Sequence, residues 1–242
     1  MTDPAMSDLG TILGVWAHPD DETYLCGGLM ARAIQTGDRV VCVTATRGEQ
    51  GSTDPQRWPP GEMLAQVRTV ELEQSLGCLG VTEHVWLDYP DGGCADVDDA
   101  EAVARLRRII DELRPDTVLT FGPDGMTGHP DHQAVSRWAV AAAAGTTAQV
   151  HVATNTPEWL AEFRNKLDEV GAFMGAEPPC TPRAELSIHL RLDGSLLDAK
   201  YDAILRQVSQ VAPMLAAFDE DLLRAALAEE SFRAAPSARA AA

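Results

Sequence analysis

Thr11-Ile12-Leu13-Gly14-Val15-Trp16-Ala17-His18-Pro19-Asp20-Asp21-Glu22 decides how the rest of the chain is read. The apolar, partly β-branched run 11–17 predicts a buried strand, and Pro19 suits the first turn of a following helix. His18, Asp20 and Asp21 then stand at a strand's carboxyl end. In open α/β sheets that edge is where residues from several strands converge on a ligand. A nitrogen ligand beside adjacent carboxylates is the composition of a centre that holds a divalent metal and activates water.

A second segment, Gly128-His129-Pro130-Asp131-His132, follows the strand-like run 116–121 and a glycine-rich turn, 122–128. A lone His-Pro-Asp is also an ordinary helix start, with Asp capping free N–H groups. Capping does not explain why three of the six histidines fall in two matching strand-end settings, each beside Asp. A catalytic zinc site needs three protein ligands plus water, so two His and one Asp from these segments suffice, with spare acidic and imidazole groups beside them. His84, His151 and His189 lie in or beside apolar runs and read as packed or surface histidines.

Outward from these segments the chain alternates. Strands near 11–17, 39–45, 84–88, 116–121 and 149–154 are interleaved with helices near 22–36, 61–79, 98–113 and 130–144. Such alternation predicts right-handed βαβ units and a Rossmann-like, mostly parallel sheet flanked by helices, an α/β fold. Further on come a helix starting at Pro157, a loop at 178–182, a half-buried strand at 185–192, and helices near 196–211 and 219–229. The tail 234–242 reads as frayed. The polar, Pro-rich stretch 53–60 is a loop expected on the rim of the site. At 242 residues the chain is expected to be a single domain, 1–242, with its core at about 10–232.

Ala17-His18-Pro19-Asp20-Asp21-Glu22 with a later His129-Pro130-Asp131-His132 resembles the LmbE/PIG-L superfamily of zinc-dependent N-deacetylases. Similar residues recur at Thr46-Arg47-Gly48-Glu49-Gln50-Gly51, at Arg68 with Glu71, at Leu76-Gly77, and at Lys200 with Ser209-Gln210. The resemblance implies His18, Asp21 and His132 as metal ligands and Asp20 as general base. It implies Zn2+ as the cofactor, with Fe2+ or another divalent metal compatible with the same donors. His129, oriented by Asp131, is similar to the family's histidine that stabilises the oxyanion or protonates the departing amine. Glu49, Arg68 and Asp91 look like residues that reach sugar hydroxyls, although Arg68 with Glu71 also fits a helical i,i+3 ion pair and Asp91-Gly92-Gly93 an ordinary turn. The implied reaction is hydrolysis of an acetamide on an N-acetylglucosamine-type conjugate. An amidase acting on a larger thiol-sugar conjugate or antibiotic amide is the alternative within hydrolases, and a non-catalytic Rossmann-type ligand-binding module is the alternative outside them.

Two departures from the family pattern stand out. Thr127 occupies a place where some relatives carry Tyr, which shifts oxyanion stabilisation toward metal and His129. Gln207 stands where related chains often read His, a change expected in a supporting contact.

A formal net charge of −18 repels phosphate backbones and, with no basic stripe, excludes nucleic acid as a partner. The expected partner is a small aminosugar conjugate, and a homo-oligomer is compatible with the sequence. No run approaches the ~20 apolar residues of a membrane span, and the acidic start lacks a basic leader, so the expected location is cytoplasmic. The five cysteines are odd in number and widely spaced, and read as reduced packing residues, with Cys94 expected to be exposed.

Overall fold

The structure, a computed structural model, describes residues 9–235. In chain order the elements are β1 (Ile12–Trp16), α1 (Asp21–Thr36), β2 (Val40–Thr44), α2 (Glu62–Cys78), β3 (Glu83–Trp86), α3 (Asp99–Leu113), β4 (Thr117–Thr120), α4 (Gly125–Gly128) and α5 (Pro130–Ala143). They continue with β5 (Gln149–Ala153), α6 (Pro157–Glu169), β6 (Ile188–Arg191), α7 (Gly194–Arg206), α8 (Ala212–Ala217), α9 (Glu220–Leu227) and β7 (Glu229–Ala234).

Every residue of β1, β2 and β4 is buried, as expected of parallel strands covered by helices on both faces. Local signals start the helices. Asp98 accepts the Ala100 N–H to begin α3, Thr156 accepts the Trp159 N–H ahead of Pro157 in α6, and Asp219 caps α9 through the Leu222 N–H.

The seven strands form one sheet in the order β3-β2-β1-β4-β5-β7-β6. Strands β1 to β5 are mutually parallel, whereas β7 runs antiparallel to both β5 and β6. From β1 the chain winds outward through β2 and β3, then returns to lay β4 on the other side of β1. The strand order therefore reverses between β1 and β4, and the crevice outside their carboxyl ends is where this topology binds ligands. His18 to Asp21 leave β1 there, and Gly122 to His132 leave β4.

Strand β7 corrects the expected helix 219–229 and the expected frayed start of the tail at Ala234. The helix ends at Leu227 and 229–234 pair with two strands; residues from 236 onward lie outside the described residues. Its sequence, Glu229-Glu230-Ser231-Phe232-Arg233-Ala234, has no β-branched residue, so partners supply what propensity does not. Helix α7 likewise stops at Arg206 rather than 211, and the strand expected over 185–192 is β6 alone.

Glu230 links this edge to the first helix. Helix α1 breaks at Cys26 (φ −147°, ψ 20°), and the Gly28 and Leu29 N–H groups beyond the break donate to the Glu230 carboxylate at 2.8 and 2.7 Å. Lys200 of α7 donates to the same carboxylate at 2.7 Å, with both side chains wholly buried. A second apolar cluster, including Phe163, Tyr201, Ile204 and Leu223, ties α6, α7 and α9 together beside the crevice.

All five cysteines are free, but Cys94 is wholly buried, and Cys180 is the exposed one. The turn 92–94 folds inward because the Asp131 carboxylate accepts the Gly92 and Cys94 N–H groups. His84, His151 and His189 pack as expected, His84 against the Thr44 hydroxyl, His151 against that of Ser187, and His189 3.6 Å from Glu229. Among the described residues no helix is long and apolar enough to cross a membrane.

Candidate metal and catalytic site

The loop after β1 turns sharply. Asp20 has φ 110°, a left-handed conformation costly for a residue with a Cβ and common at functional sites. The turn sends adjacent carboxylates in different directions. Asp21 accepts the His18 N–H at 2.8 Å and faces the crevice, whereas Asp20 lies 3.2 Å from Arg68.

The hydrogen bonds of the two buried imidazoles dictate their tautomers. Nε2 of His18 lies 3.0 Å from Asp91 and 3.3 Å from Asp131, so a proton belongs there and, in the neutral ring, Nδ1 carries the lone pair. Nδ1 of His132 donates to the Gly125 carbonyl at 2.9 Å, which leaves Nε2 as its free lone pair. Those two nitrogens face each other at 3.1 Å, and Asp21 approaches them at 3.6 and 3.4 Å. With both rings neutral, two lone pairs and a carboxylate converge, a donor set that fits a divalent cation. The carboxylates behind His18 supply the outer contacts that orient ligating imidazoles.

His129 also brings a ring nitrogen close to His18 and His132. As the N-cap of α5, however, its Nδ1 accepts the Asp131 N–H at 3.1 Å. That bond puts the proton of a neutral His129 ring on Nε2, which leaves that nitrogen a donor. It is the Asp131 backbone that orients His129; the Asp131 carboxylate serves His18 and the turn 92–94. Phe121 stacks on His132 at 4.1 Å and fixes its plane.

The residues expected to reach sugar hydroxyls sit largely behind His18 and Asp20. Arg68 is 3 % exposed and donates to the carbonyls of Gly48 and Pro19 as well as to Asp20. It forms no ion pair with Glu71, which instead holds Ser209 through two hydrogen bonds of 2.7 and 2.6 Å. Asp91 accepts the Gln50 N–H and faces His18, and Glu49 accepts the Asp91 N–H at 2.9 Å. Gln50, Gly51, Gly92 and Gln210 complete the polar crevice of ≈ 370 Å³ that holds His18, Asp20, His129 and His132. The loop 53–60 stands on the rim, tied by the Thr53 hydroxyl to the Ser209 carbonyl at 2.5 Å.

Electrostatics follow from this packing. Burial opposes protonation of His18, yet Asp131, Asp91 and Asp21 together lift its pKa from 6.5 to about 10, the mark of a pocket that attracts positive charge. Burial lowers His132 to about 4 and depresses His129 as well, the latter reinforced by the charge of His18. Burial raises Asp20 to about 7 against the pull of Arg68. A carboxylate titrating near neutrality suits proton transfer at physiological pH.

The model of the PIG-L family, described as GlcNAc-PI de-N-acetylase, matches residues 13–143, the stretch carrying His18 to Asp21 and His129 to His132. A 1D-myo-inositol 2-acetamido-2-deoxy-alpha-D-glucopyranoside deacetylase of Kineococcus radiotolerans is 32% identical over 209 residues, covering 69% of this chain and 58% of that protein. The chain thus spans just over half the length of the curated relatives it matches. In fold it is similar to teicoplanin deacetylase Orf2 in its zinc-inhibited form (TM-score 0.68, 19% identity, 93% of this chain and 97% of that one). It is also similar to the N,N'-diacetylchitobiose deacetylase of Pyrococcus horikoshii (TM-score 0.62, 22% identity, 96% and 88%).

Proposed function

Because this chain belongs to the PIG-L family, we propose that it hydrolyses the acetamide of an N-acetylglucosamine-type conjugate to acetate and a free amine. The observation that carries the reading is the convergence of His18 Nδ1, His132 Nε2 and the Asp21 carboxylate beside Asp20. His18, Asp21 and His132 would hold a divalent cation, with Zn2+ suited to these nitrogen and oxygen donors and Fe2+ an acceptable substitute; when bound, it brings the pKa of water toward about 7 and polarises the amide carbonyl.

The chain's own residues do the rest. The polar crevice offers Gln50, Gly92 and Gln210 to the sugar. The Asp20 carboxylate takes the proton that the attacking water loses, and Arg68 and the strained loop hold it on the crevice side. The Nε2–H of His129 donates to the amide oxygen as charge develops there, a contribution of about 3 kcal/mol for a preorganised donor. The C–N bond then breaks, and the amine leaves with the proton. His129 stays neutral through burial, so it acts as a hydrogen-bond donor rather than a cation. The curated relatives are named for a deacetylase of this substrate class, which supports the reading. The free cysteines suit a reducing, cytoplasmic setting.

The test is amine release from a panel of N-acetylglucosamine conjugates by metal-loaded protein, beside an Asp20→Ala variant with its metal content measured. Release that vanishes in the variant while metal is retained establishes Asp20 as the base. No release from any conjugate by fully loaded protein overturns the reading.

A further inference from the structure

The polar crevice is not the only space that opens on Asp20. A second chamber of ≈ 320 Å³ shares Asp20, Asp21 and His132 with it but is otherwise walled largely by apolar side chains, among them Leu25, Phe121, Val170, Pro213 and Met214. A further cavity of ≈ 150 Å³, here the inner cavity, adjoins it, and Tyr24, Leu25, Met126, Thr127, Leu167 and Met214 line both spaces. We infer that the two spaces form an acyl channel, and that the protein cleaves N-acyl chains of about six to eight carbons from its aminosugar conjugate, not acetyl alone. The inference rests on the amide-hydrolysis reading and specifies its acyl group.

An amide at this centre projects two unlike groups. The sugar carries hydroxyls that need partners, and the polar crevice supplies them. The acyl chain needs none, and away from Asp20, Asp21, His132 and Gln210 the chamber presents mostly apolar wall. Acetyl fills little of a chamber of ≈ 320 Å³ and none of the cavity adjoining it. An apolar cavity of about 150 Å³ accepts a benzene-sized group, which sets the reach of the chain.

The inner cavity's polar side chains are engaged elsewhere. Glu229 accepts the Thr156 hydroxyl at 2.6 Å, Glu230 is held by Lys200, the Thr154 hydroxyl pairs with that of Thr181 at 2.8 Å, and the Asn155 amide donates to the Pro179 carbonyl at 3.1 Å. Of the buried polar atoms on its wall, the Ser231 hydroxyl lacks a partner among the described residues. The partition between chamber and cavity includes Met126 and Met214, whose unbranched side chains move aside at little cost. Met126 is itself held at φ 63° in the turn that carries the His132 loop, a conformation unusual for a residue with a Cβ.

The chemistry is balanced by water alone: its oxygen bonds to the carbonyl carbon, the C–N bond breaks, both water protons pass to the nitrogen side, and a fatty-acid carboxylate and a protonated amine leave. The test measures kcat/KM for amine release from acetyl, butanoyl, hexanoyl and octanoyl glucosamine conjugates by metal-loaded protein, with calorimetric binding of the same series. Burying each methylene is worth about fourfold in affinity, so hexanoyl and octanoyl conjugates should bind at least about tenfold more tightly than acetyl and be cleaved at least as well. Ala226→Phe places a ring in the inner cavity from α9, away from the reacting atoms, and Ala226→Leu is a milder filling should the first variant fold poorly. Both should cut octanoyl turnover by about tenfold and leave acetyl turnover within about twofold. Release from acetyl alone, or equal effects of the variants on every chain length, overturns the channel and leaves deacetylation standing. No release from any conjugate, with octanoyl still bound more tightly and sensitive to Ala226→Phe, overturns hydrolysis and leaves the acyl site standing; equal affinity along the series overturns the acyl site as well.

Discussion

Asp91 meets His18 on the side of the ring turned away from Asp21: its Oδ1 stands 3.0 Å from Nε2, while Nδ1 looks toward Asp21 at 3.6 Å. Glu49 in turn accepts the Asp91 N–H, so acidic residues from the loops after β2 and β3 are stacked behind one imidazole. Residues that the family resemblance implies for sugar contact thus pack first against the His18 ring. Asp91→Asn should weaken metal binding by about 10- to 100-fold and lose activity that excess metal restores. Metal titration against a competing chelator measures this; unchanged metal affinity with a raised KM would make Asp91 a direct substrate contact.

Arg68 reaches Asp20 only because Gly48 lets it pass. A Cβ at Gly48, whose φ is +66°, would collide with the Arg68 guanidinium. Gly48→Ala should cost about 2 kcal/mol of stability through strain and displacement, and lower kcat through misplacement of Asp20. Urea unfolding and steady-state kinetics on one preparation separate the two effects, and an unaltered kcat would detach Arg68 from the base.

Much of this was legible in the sequence, and the reason is local. Strand β1 and the segments around His18 and His129 carry their own signals: a continuous apolar run, Pro at the first helical position, and histidine beside aspartate. Strand β7 carries no such signal. Glu229-Glu230 reads as the polar end of a helix, and only the bent α1 and the buried Lys200, both far away in sequence, make Glu230 an interior residue. Cys94 misled for the same reason, since Gly92-Gly93 reads as an exposed turn until the distant Asp131 carboxylate draws its N–H groups inward. The contacts of Arg68 and Asp91 likewise join segments far apart in the chain, which no spacing within one segment reveals.

The Lys200 and Glu230 pair should behave as a buried ion pair does. Lys200→Met leaves Glu230 in an apolar interior without its cation and should cost about 3–5 kcal/mol. Adding Glu230→Gln removes the stranded charge, so the double variant should be more stable than the two single losses summed. Urea unfolding with unchanged m-values gives these energies, and strict additivity would show that the two residues do not interact.

His84 gives stability a pH dependence of known sign. Burial, reinforced by the charge of Arg47, lowers its pKa in the fold from 6.5 to about 4, with Asp88 opposing. Between those values the unfolded chain binds a proton that the folded protein refuses, so stability falls as pH falls; above the upper value and below the lower one His84 adds no slope. His84→Gln should remove up to about 1.4 kcal/mol per pH unit from the slope across that window. Urea unfolding at about pH 7, 6 and 5 provides the measurement, and identical slopes would mean that His84 is protonated in the fold.

His129 separates the two chemical roles that its neighbourhood leaves open. If the Asp131 N–H fixes its proton on Nε2, His129 donates to the amide oxygen and plays no part in holding metal. His129→Ala should then lower kcat by about 10²- to 10³-fold with metal content unchanged, whereas His132→Ala should lose the metal itself. Thr127, 3.3 Å from His132 Nδ1, is placed to support a ligand rather than to replace this donor, so no nearby hydroxyl should rescue the variant. Loss of bound metal from His129→Ala would reverse the assignment, making His129 the ligand and releasing Asp21 from that role, because the same three ring nitrogens lie close enough to share one ion.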